Sequence, residues 1–422
     1  MTSAVVNTVQ EPLRTLTGSV VLVDGVLNGR PFKKVCADAG LPVVGVYTIE
    51  RCRLDAMAAD HASGDAMALY DNGSVDITAC VTGRVAAVIP ATEPAVHRAA
   101  LLARHWGVPA NSVETAYACR DKRAMRRRAS ARGLRVPRFF AVRDVKDIPA
   151  AVRRVGLPAI VKPATGAASH NVILVRGPAD LDRVRRAQRY DLFGGVIDEW
   201  LVEEYVRGRE FAINTFSFGG RHVVVDAWEY RQPSDADYDN PYWDFVQLGP
   251  RDQMRGRLAR FARQVLSGFE VHIGPAHIEA KLGPDGLVLI EIGARLPGAG
   301  IPEMWERYSD LRAYQDTLAG YLGHVPKVMD SPPVFTHRVG MCFIRNQGPP
   351  GVLRRLNGVD EAVRIPGVAE VITHWHPGDT VPTTRDLGTE LAKVRLAVPP
   401  GLSIVDVAGR VRETISVDVE PV

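Results

Sequence analysis

Residues 273–295 read IGPAHIEAKLGPDGLVLIEIGAR, and the way they pair decides the fold. HIEAKL and LVLIEI are short, β-rich runs, and the GPDG between them is a strong turn signal. Pro284 presets φ at the first turn position, Asp285 suits the second, and Gly286 can take a positive φ. The pattern predicts a three-residue hairpin loop, a type I turn closed by a left-handed glycine and a bulge. With Gly283 facing Leu287, counting outward sets Glu279 opposite Glu291, on one face of the sheet. A simple four-residue turn would set them on opposite faces. Two bare carboxylates side by side repel. Mg²⁺, held by one or two carboxylates and by substrate phosphates, would neutralise them. An edge hairpin with two solvated acids explains the pair equally well in isolation, so the rest of the chain must decide.

Composition narrows the choice. A chain of 422 residues is long enough for two or three domains with their own cores. Its 46% hydrophobic and 24% charged residues suit a soluble globular enzyme. The net charge is only +4, with no basic tail and no aromatic-basic interleaving, so no nucleic-acid partner is expected. The run Arg126-Arg127-Arg128 reads as a solvated helix face. Cys36, Cys52, Cys80, Cys119 and Cys342 are scattered and form no CxxC, which fits reduced thiols and neither a disulfide framework nor a zinc knuckle. No apolar run reaches the roughly 18 residues that span a bilayer. The opening MTSAVVNTVQEPLRTLTG lacks the charged-then-apolar pattern of a signal peptide and reads as a loose leader. A soluble, cytoplasmic protein without a membrane partner is expected.

SVVLVD, a Gly/Asn loop, a helix around 32–39 and the strand LPVVGVYT predict a βαβ unit in a parallel sheet. Its glycines do not form GxGxxG, so the dinucleotide fingerprint is absent. VAAVIP is a later strand and residues 93–106 a helix, with the first domain ending near Asn111. From Tyr117 the chain reads as one helix closed by Gly133, then a strand entered through Pro137. LPAIVKPATGAASHNVILV is strand, small-residue loop, strand; WLVEEYVRGREFAINTFSF is a hairpin-like β segment. Residues 233–249, polar and aromatic, read as an extended functional loop in which Tyr242 and Trp243 close over the core. Residues 254–269 are a helix leading into the hairpin, and from about Ser331 comes a smaller α+β tail.

Only eight lysines stand against forty-four arginines, so each lysine draws notice. Lys122 and Lys162 flank the small-residue loop, and a compact ammonium beside loop N–H groups suits phosphate oxygens. Taken singly, each is a surface charge. Glu203, Glu204 and Glu210 surround Val206; by itself this is a charged strand-to-loop junction. His374-Trp375-His376 offers an HxH but no third ligand at a useful spacing, and an ordinary exposed strand pair is the better reading.

The ordered set is more specific than its parts. A lysine, a second lysine before a small-residue loop, EExV(x)₃E and a paired-glutamate hairpin ending in arginine resemble the ATP-grasp superfamily, in which two α+β lobes clamp ATP. The resemblance covers roughly residues 19–420. GPAHIE, LIEIGARLPG, VLVDGVLNGR and LPAIVKPATGAASHNV point within it to the L-amino acid ligases, which join amino acids into dipeptides. It implies a leader at 1–18 and a βαβ domain at 19–115. An ATP-grasp domain at 116–330, with lobes split near 195, and a C-terminal α+β subdomain at 331–422 complete the division.

The resemblance further implies that Lys122 and Lys162 bind ATP phosphates, covered by Ser169 and the loop amides. Glu203, Glu204 and the Val206 backbone would hold adenine, and Glu210 the ribose. Glu279 and Glu291 would hold Mg²⁺ or Mn²⁺. Arg295 would stabilise the transferring phosphoryl group, and His277 would line the substrate pocket. Three departures stand out. Ala168 and Asn171 replace glycines in the phosphate loop, Gly293 replaces an asparagine that serves as a metal ligand, and Ala299 leaves room past Arg295. The implied activity is ATP-dependent carboxylate–amine ligation through an acyl-phosphate, with amino acids as small carboxylate and amine partners; homodimers are common among such enzymes. The rivals are another ATP-grasp enzyme, a carboxylase or nucleotide-pathway ligase, and an ATP-binding protein without catalysis.

Overall fold

The computed structural model describes residues 18–72, 76–167, 169–187, 189–232 and 243–421. Positions 1–17 of the expected leader, Ala168, and positions 233–242 of the expected loop, Tyr242 among them, lie outside the described residues.

The first sheet is parallel, in the order Met67–Tyr70, Val43–Tyr47, Ser19–Val23, Val85–Pro90. Val43–Tyr47 and Val85–Pro90 are buried along their whole length, as strands covered on both faces must be. Helix Ala95–Trp106 lays Ala95, Ala99, Leu102 and Ala103 on this sheet, one helical stripe. It stops at Gly107, whose φ of +66° favours a residue without a β carbon.

The helix expected after Tyr117 is two helices. Val113–Arg120 ends at Asp121, and Lys122–Ala131 begins there, with the Asp121 carboxylate accepting from the Ala124 N–H at 2.7 Å. Lys122 therefore occupies a first helical turn, buried. Arg126 corrects the solvated-face reading of its run: it is fully buried, while Arg127 is exposed.

Two antiparallel sheets follow. The smaller runs Phe139–Val142, Trp200–Glu204, Ala159–Pro163, Ile173–Val175. Helix Ile148–Val155 covers it with Ile148, Ala151, Val152 and Val155. The larger has eight strands, in the order Gly286–Gly293, Ile273–Gly283, Arg209–Phe218, Arg221–Arg231, Asp244–Gln247, Arg338–Ile344, Ala392–Val398, Val368–Thr373. Helix Met254–Phe269 buries Leu258, Phe261, Ala262, Val265, Leu266 and Phe269 in the core that also holds this sheet's Ile278, Leu289 and Ile292. Each of the Leu, Ile, Val and Phe side chains contributes roughly 1.5–3 kcal/mol before conformational entropy is subtracted.

Three expectations change here. WLVEEYVRGREFAINTFSF is not a hairpin: Trp200–Glu204 belongs to the small sheet and Arg209–Phe218 to the large one, so the chain crosses between lobes at 205–208. Gly208 makes that crossing, with φ +136° and room for no β carbon, which would lie 2.0 Å from the Leu282 carbonyl oxygen. Within the expected 233–249 loop, Asp244–Gln247 is a strand, because Phe245 and Val246 pack into cores on its two faces. The tail strands Arg338–Ile344, Ala392–Val398 and Val368–Thr373 extend the large sheet, and Thr380–Val381, Gly351–Asn357 and Ser416–Pro421 form a further small one. A parallel N-terminal sheet, a two-lobed centre and a C-terminal α+β region is the architecture the sequence implied. Among the described residues no helix is long and apolar enough to cross a membrane.

Candidate active site

A cavity of about 680 Å³ lies where these parts meet. Lys122, Lys162, Ser169, Glu203, Glu204, Val206, Glu210, His277, Glu279, Glu291 and Arg295, the whole set singled out in the sequence, lie on its wall.

The hairpin places Glu279 opposite Glu291, by a different device from the one expected. Gly283 faces Gly286 rather than Leu287, so the loop is the two residues Pro284 and Asp285. That register alone would set Ile290 against Glu279. Instead the ladder shifts between Ala280 and Glu279, leaving Ile290 as the extra residue of a bulge. Its carbonyl accepts from the buried Arg126 Nη2 at 2.7 Å. Each carboxylate has a partner: the Tyr230 hydroxyl donates to Glu279 Oε1 at 2.8 Å, and Lys122 Nζ donates to Glu291 Oε1 at 3.2 Å and to the Gly166 carbonyl at 2.9 Å. Burial pushes the Glu279 carboxyl up, yet His277, Tyr230 and Lys122 together bring it below the usual range.

At the end of the cavity lined by Glu203 and Glu210 the sequence missed two residues. Arg126 pairs with Glu203 through Nε at 2.7 Å and Nη2 at 3.2 Å, and Lys162 Nζ lies 2.6 Å from the same carboxylate. Burial alone would raise Glu203; the two cations outweigh it and hold the group at about 2. Both Glu203 oxygens thus already carry a cationic donor. Glu204, the next residue, points the other way and binds Arg138 N–H and Nε at 3.1 and 2.6 Å. Lys281 is the second omission: it pairs with Glu210 at 3.2 Å and lies over the Tyr205 ring. Alternation along the strand puts it on the face of His277 and Glu279, a signal that was available. In the small-residue loop Ser169 and Asn171 adopt φ of +56° and +59°, so Asn171 does take the left-handed conformation a glycine would. Arg120 braces this loop by donating to the Thr165 carbonyl at 2.7 Å.

At the other end Arg295 is held by Glu93, a buried residue of the N-terminal part, at 2.7 Å, and donates to the Leu296 carbonyl at 2.8 Å. No sequence pattern pointed to Glu93. Gly293 explains the fit: a β carbon there would come 2.8 Å from Glu93 Oε2. Asn28 donates to the Pro297 carbonyl at 2.9 Å and ties the following loop, with Ala299 on the cavity wall, to the first sheet.

His277 is oriented from behind. Asp226, fully buried, accepts from Asn214 Nδ2 and Trp228 Nε1 at 2.7 Å, Trp305 Nε1 at 2.8 Å and Gln247 Nε2 at 3.0 Å. With its amide nitrogen so engaged, Asn214 offers Oδ1 to His277 Nδ1 at 2.7 Å, which assigns the ring proton to Nδ1. Nε2 then faces Glu279 Oε1 at 3.6 Å.

The HxH pair does not converge. His374 lines the cavity, His376 lies by Asp379, and Trp375 donates to the Glu390 carbonyl. Trp243 is not on the cavity wall; the Arg345 guanidinium lies 4.7 Å over its ring. Among the described residues no three His, Cys, Asp or Glu side chains are grouped to hold a metal. Two facing carboxylates fit an ion that takes its other ligands from water and phosphate, as Mg²⁺ does, and do not fit an all-protein cage.

Two family models match the chain. An ATP-grasp domain matches residues 155–303, and an L-amino acid ligase C-terminal domain 2 matches residues 347–420. The L-arginine-specific L-amino acid ligase of Bacillus subtilis is 24% identical over 314 residues, 73% of this chain and 74% of that one. The crystal structure of L-amino acid ligase from Bacillus licheniformis superposes with a TM-score of 0.74 at 18% identity, covering 96% of this chain and all of that one. N5-carboxyaminoimidazole ribonucleotide synthetase from Thermotoga maritima shares the fold at a TM-score of 0.66 and 16% identity over 96% of this chain. The chain thus carries an ATP-grasp domain and an L-amino acid ligase C-terminal domain, and it resembles the L-amino acid ligases in sequence and in fold.

Proposed function

We propose that the protein joins a carboxylate to an amine at the expense of ATP, both partners being amino acids or close analogues, with a peptide-type amide as product. One observation carries the reading: Glu279 faces Glu291 on the wall of a cavity that also holds Lys122, Lys162 and Arg295. In this scheme Lys122 and Lys162 hold phosphate oxygens, the 205–208 crossing and Glu210 receive the nucleoside, and Arg295 faces the phosphoryl group in transfer. Glu279 and Glu291 would hold Mg²⁺ or Mn²⁺, which supplies charge neutralisation on the phosphates when bound.

A donor carboxylate oxygen attacks the γ-phosphorus, the bond to the β,γ-bridging oxygen breaks, and ADP leaves. The amine nitrogen then attacks the acyl carbon, and phosphate departs with the C–O bond electrons. The amine must lose a proton, and in this scheme His277 takes it at Nε2, where the imidazolium so formed pairs with Glu279. Closing the cavity excludes water, which would otherwise hydrolyse the acyl-phosphate.

The test is phosphate release across pairwise amino-acid mixtures, with product masses for the active pairs. Glu291→Ala should lower turnover by at least about 100-fold, with thermal stability little changed. Full ADP release by that variant would remove Glu291 from the reaction, and turnover dependent on bicarbonate would favour a carboxylase instead.

A further inference from the structure

We infer that Arg395, with Lys393 beside it, binds the carboxylate of the amine-contributing substrate, so that this substrate is an amino acid rather than a simple amine. The inference rests on the ligase reading above and adds to it a residue outside the ATP-clamping lobes. Both side chains come from the strand Ala392–Val398, two positions apart and so on one face, and both line the cavity. Arg395 donates from Nη1 to Glu370 on the neighbouring strand at 3.0 Å. Its Nε is buried and has no hydrogen-bond partner among the described residues. The guanidinium packs close against Gly300, where a β carbon would come within 2.1 Å of Nη2. It is therefore held in place with donor capacity left over, in a planar fork that suits a carboxylate.

Position decides which carboxylate. Glu210, Tyr230, Phe245, Met341 and Arg395 are successive partners across the large sheet, and Lys281 pairs with Glu210 at the other end of the row. Five strand spacings separate Lys281 from Arg395, roughly 24 Å measured along the sheet. Glu279 lies on the strand of Lys281, so the paired glutamates stand several strands away from Arg395 along the sheet. The donor's carboxylate has to reach that end to be phosphorylated. In a pair of amino acids, the carboxylate that survives the reaction belongs to the acceptor. Phe245, Phe343, Ile372 and Leu387 also line the cavity and suit apolar side chains.

A competing account makes Arg395 a strap that ties the C-terminal strands to the loop around Gly300. The two accounts separate in kinetics. The wild-type protein is assayed with an active donor and with the acceptor as free acid or as carboxamide; Arg395→Ala and Arg395→Lys are assayed in parallel. The wild type should prefer the free acid by about 10- to 100-fold in kcat/KM, the worth of a charge-assisted hydrogen bond. Arg395→Ala should erase that preference, chiefly through the acceptor KM, while KM for ATP and donor stays within about threefold; Arg395→Lys should restore part of it. Equal use of acid and carboxamide by the wild type, which requires no variant to fold, overturns the assignment alone. So does a variant that loses both acceptors equally, or whose donor KM rises instead. Absence of phosphate release with every pair overturns the ligase reading and this inference with it.

Discussion

Gly293 has no side chain, and Glu93 uses the space. The carboxylate that holds Arg295 passes within 2.8 Å of where a β carbon would sit, and it is buried, so it has little freedom to retreat. Where an asparagine would add a metal ligand, this chain keeps a glycine and gains a brace for its arginine from a strand-end some 200 residues away. Gly293→Ala should therefore displace Glu93 and loosen Arg295. The expected result is a fall of about 10-fold in kcat, with a change in melting temperature of only a few degrees, since the cost falls on one ion pair rather than on the core. Unchanged kcat would mean that Glu93 moves without consequence and that Arg295 needs no support. The asymmetry of legibility is clear at this scale. Glu279, Glu291 and Arg295 were readable because they sit in one short motif, whereas Glu93 precedes a helix and looked like any acid at a helix start. Lys281 and Arg126 lie between these cases. Lys122, Met125, Arg126 and Ala129 form one helical stripe, and all four are buried, so periodicity carried the answer that a run of three arginines obscured.

Among elements, the strand Trp200–Glu204 shows how charge is kept inside the small lobe. Glu203 is nearly inaccessible, as are Arg126 and Lys162, and the triad joins the helix Lys122–Ala131 to two strands of the small sheet. Burial works against the carboxylate, but the paired cations win and leave it at about 2, against 4.5 unperturbed. Because the folded pKa is depressed, the contribution of this group to stability is fully present above pH 4.5 and is lost as pH falls from there toward 2. Glu203→Gln should destabilise the protein by about 3–5 kcal/mol at neutral pH, since it leaves two buried cations without a counter-charge. It should also flatten the dependence of melting temperature on pH between about 4.5 and 2. A variant that keeps the wild-type acid slope would place the titration elsewhere. The hairpin teaches a related lesson about register. The glutamates face each other although the three-residue turn from which that was expected does not form; the bulge at Ile290 does it instead, and the sequence could not mark it, because Leu289 and Ile290 are both apolar and either could be the one left out of the ladder. The crossing at 205–208 was misread for a similar reason: β propensity over the nineteen residues 200–218 does not say that the two halves join different sheets.

At the scale of the whole molecule, the cavity exists only because three regions of the chain are brought together. The first sheet sends Leu27, Asn28 and Glu93, the central lobes supply the lysines and the paired glutamates, and the C-terminal strands add His374, Lys393 and Arg395. Local patterns foretold the first sheet, and the family resemblance implied the lobes. They did not foretell that the tail would continue the large sheet, because strand order is fixed by long-range pairing such as Asp244 with Cys342. A shared site also means that its ligand acts as a cross-link. ATP with Mg²⁺ contacts both lobes in the proposed mode, so it should raise the melting temperature in proportion to RT ln(1 + [L]/Kd), about 2.7 kcal/mol at 100 times the dissociation constant. The effect has a part specific to the carboxylate pair. In Glu279→Gln/Glu291→Gln the stabilisation by ATP alone should survive, because Lys122 and Lys162 remain and two negative charges near the phosphates are gone. The additional stabilisation on adding Mg²⁺ should shrink to almost nothing. Calorimetric melts of wild type and variant, each with ATP and with ATP plus Mg²⁺, separate these contributions without relying on turnover. Equal Mg²⁺-dependent shifts in the two proteins would place the metal away from the hairpin and dissociate the facing glutamates from the phosphate chemistry.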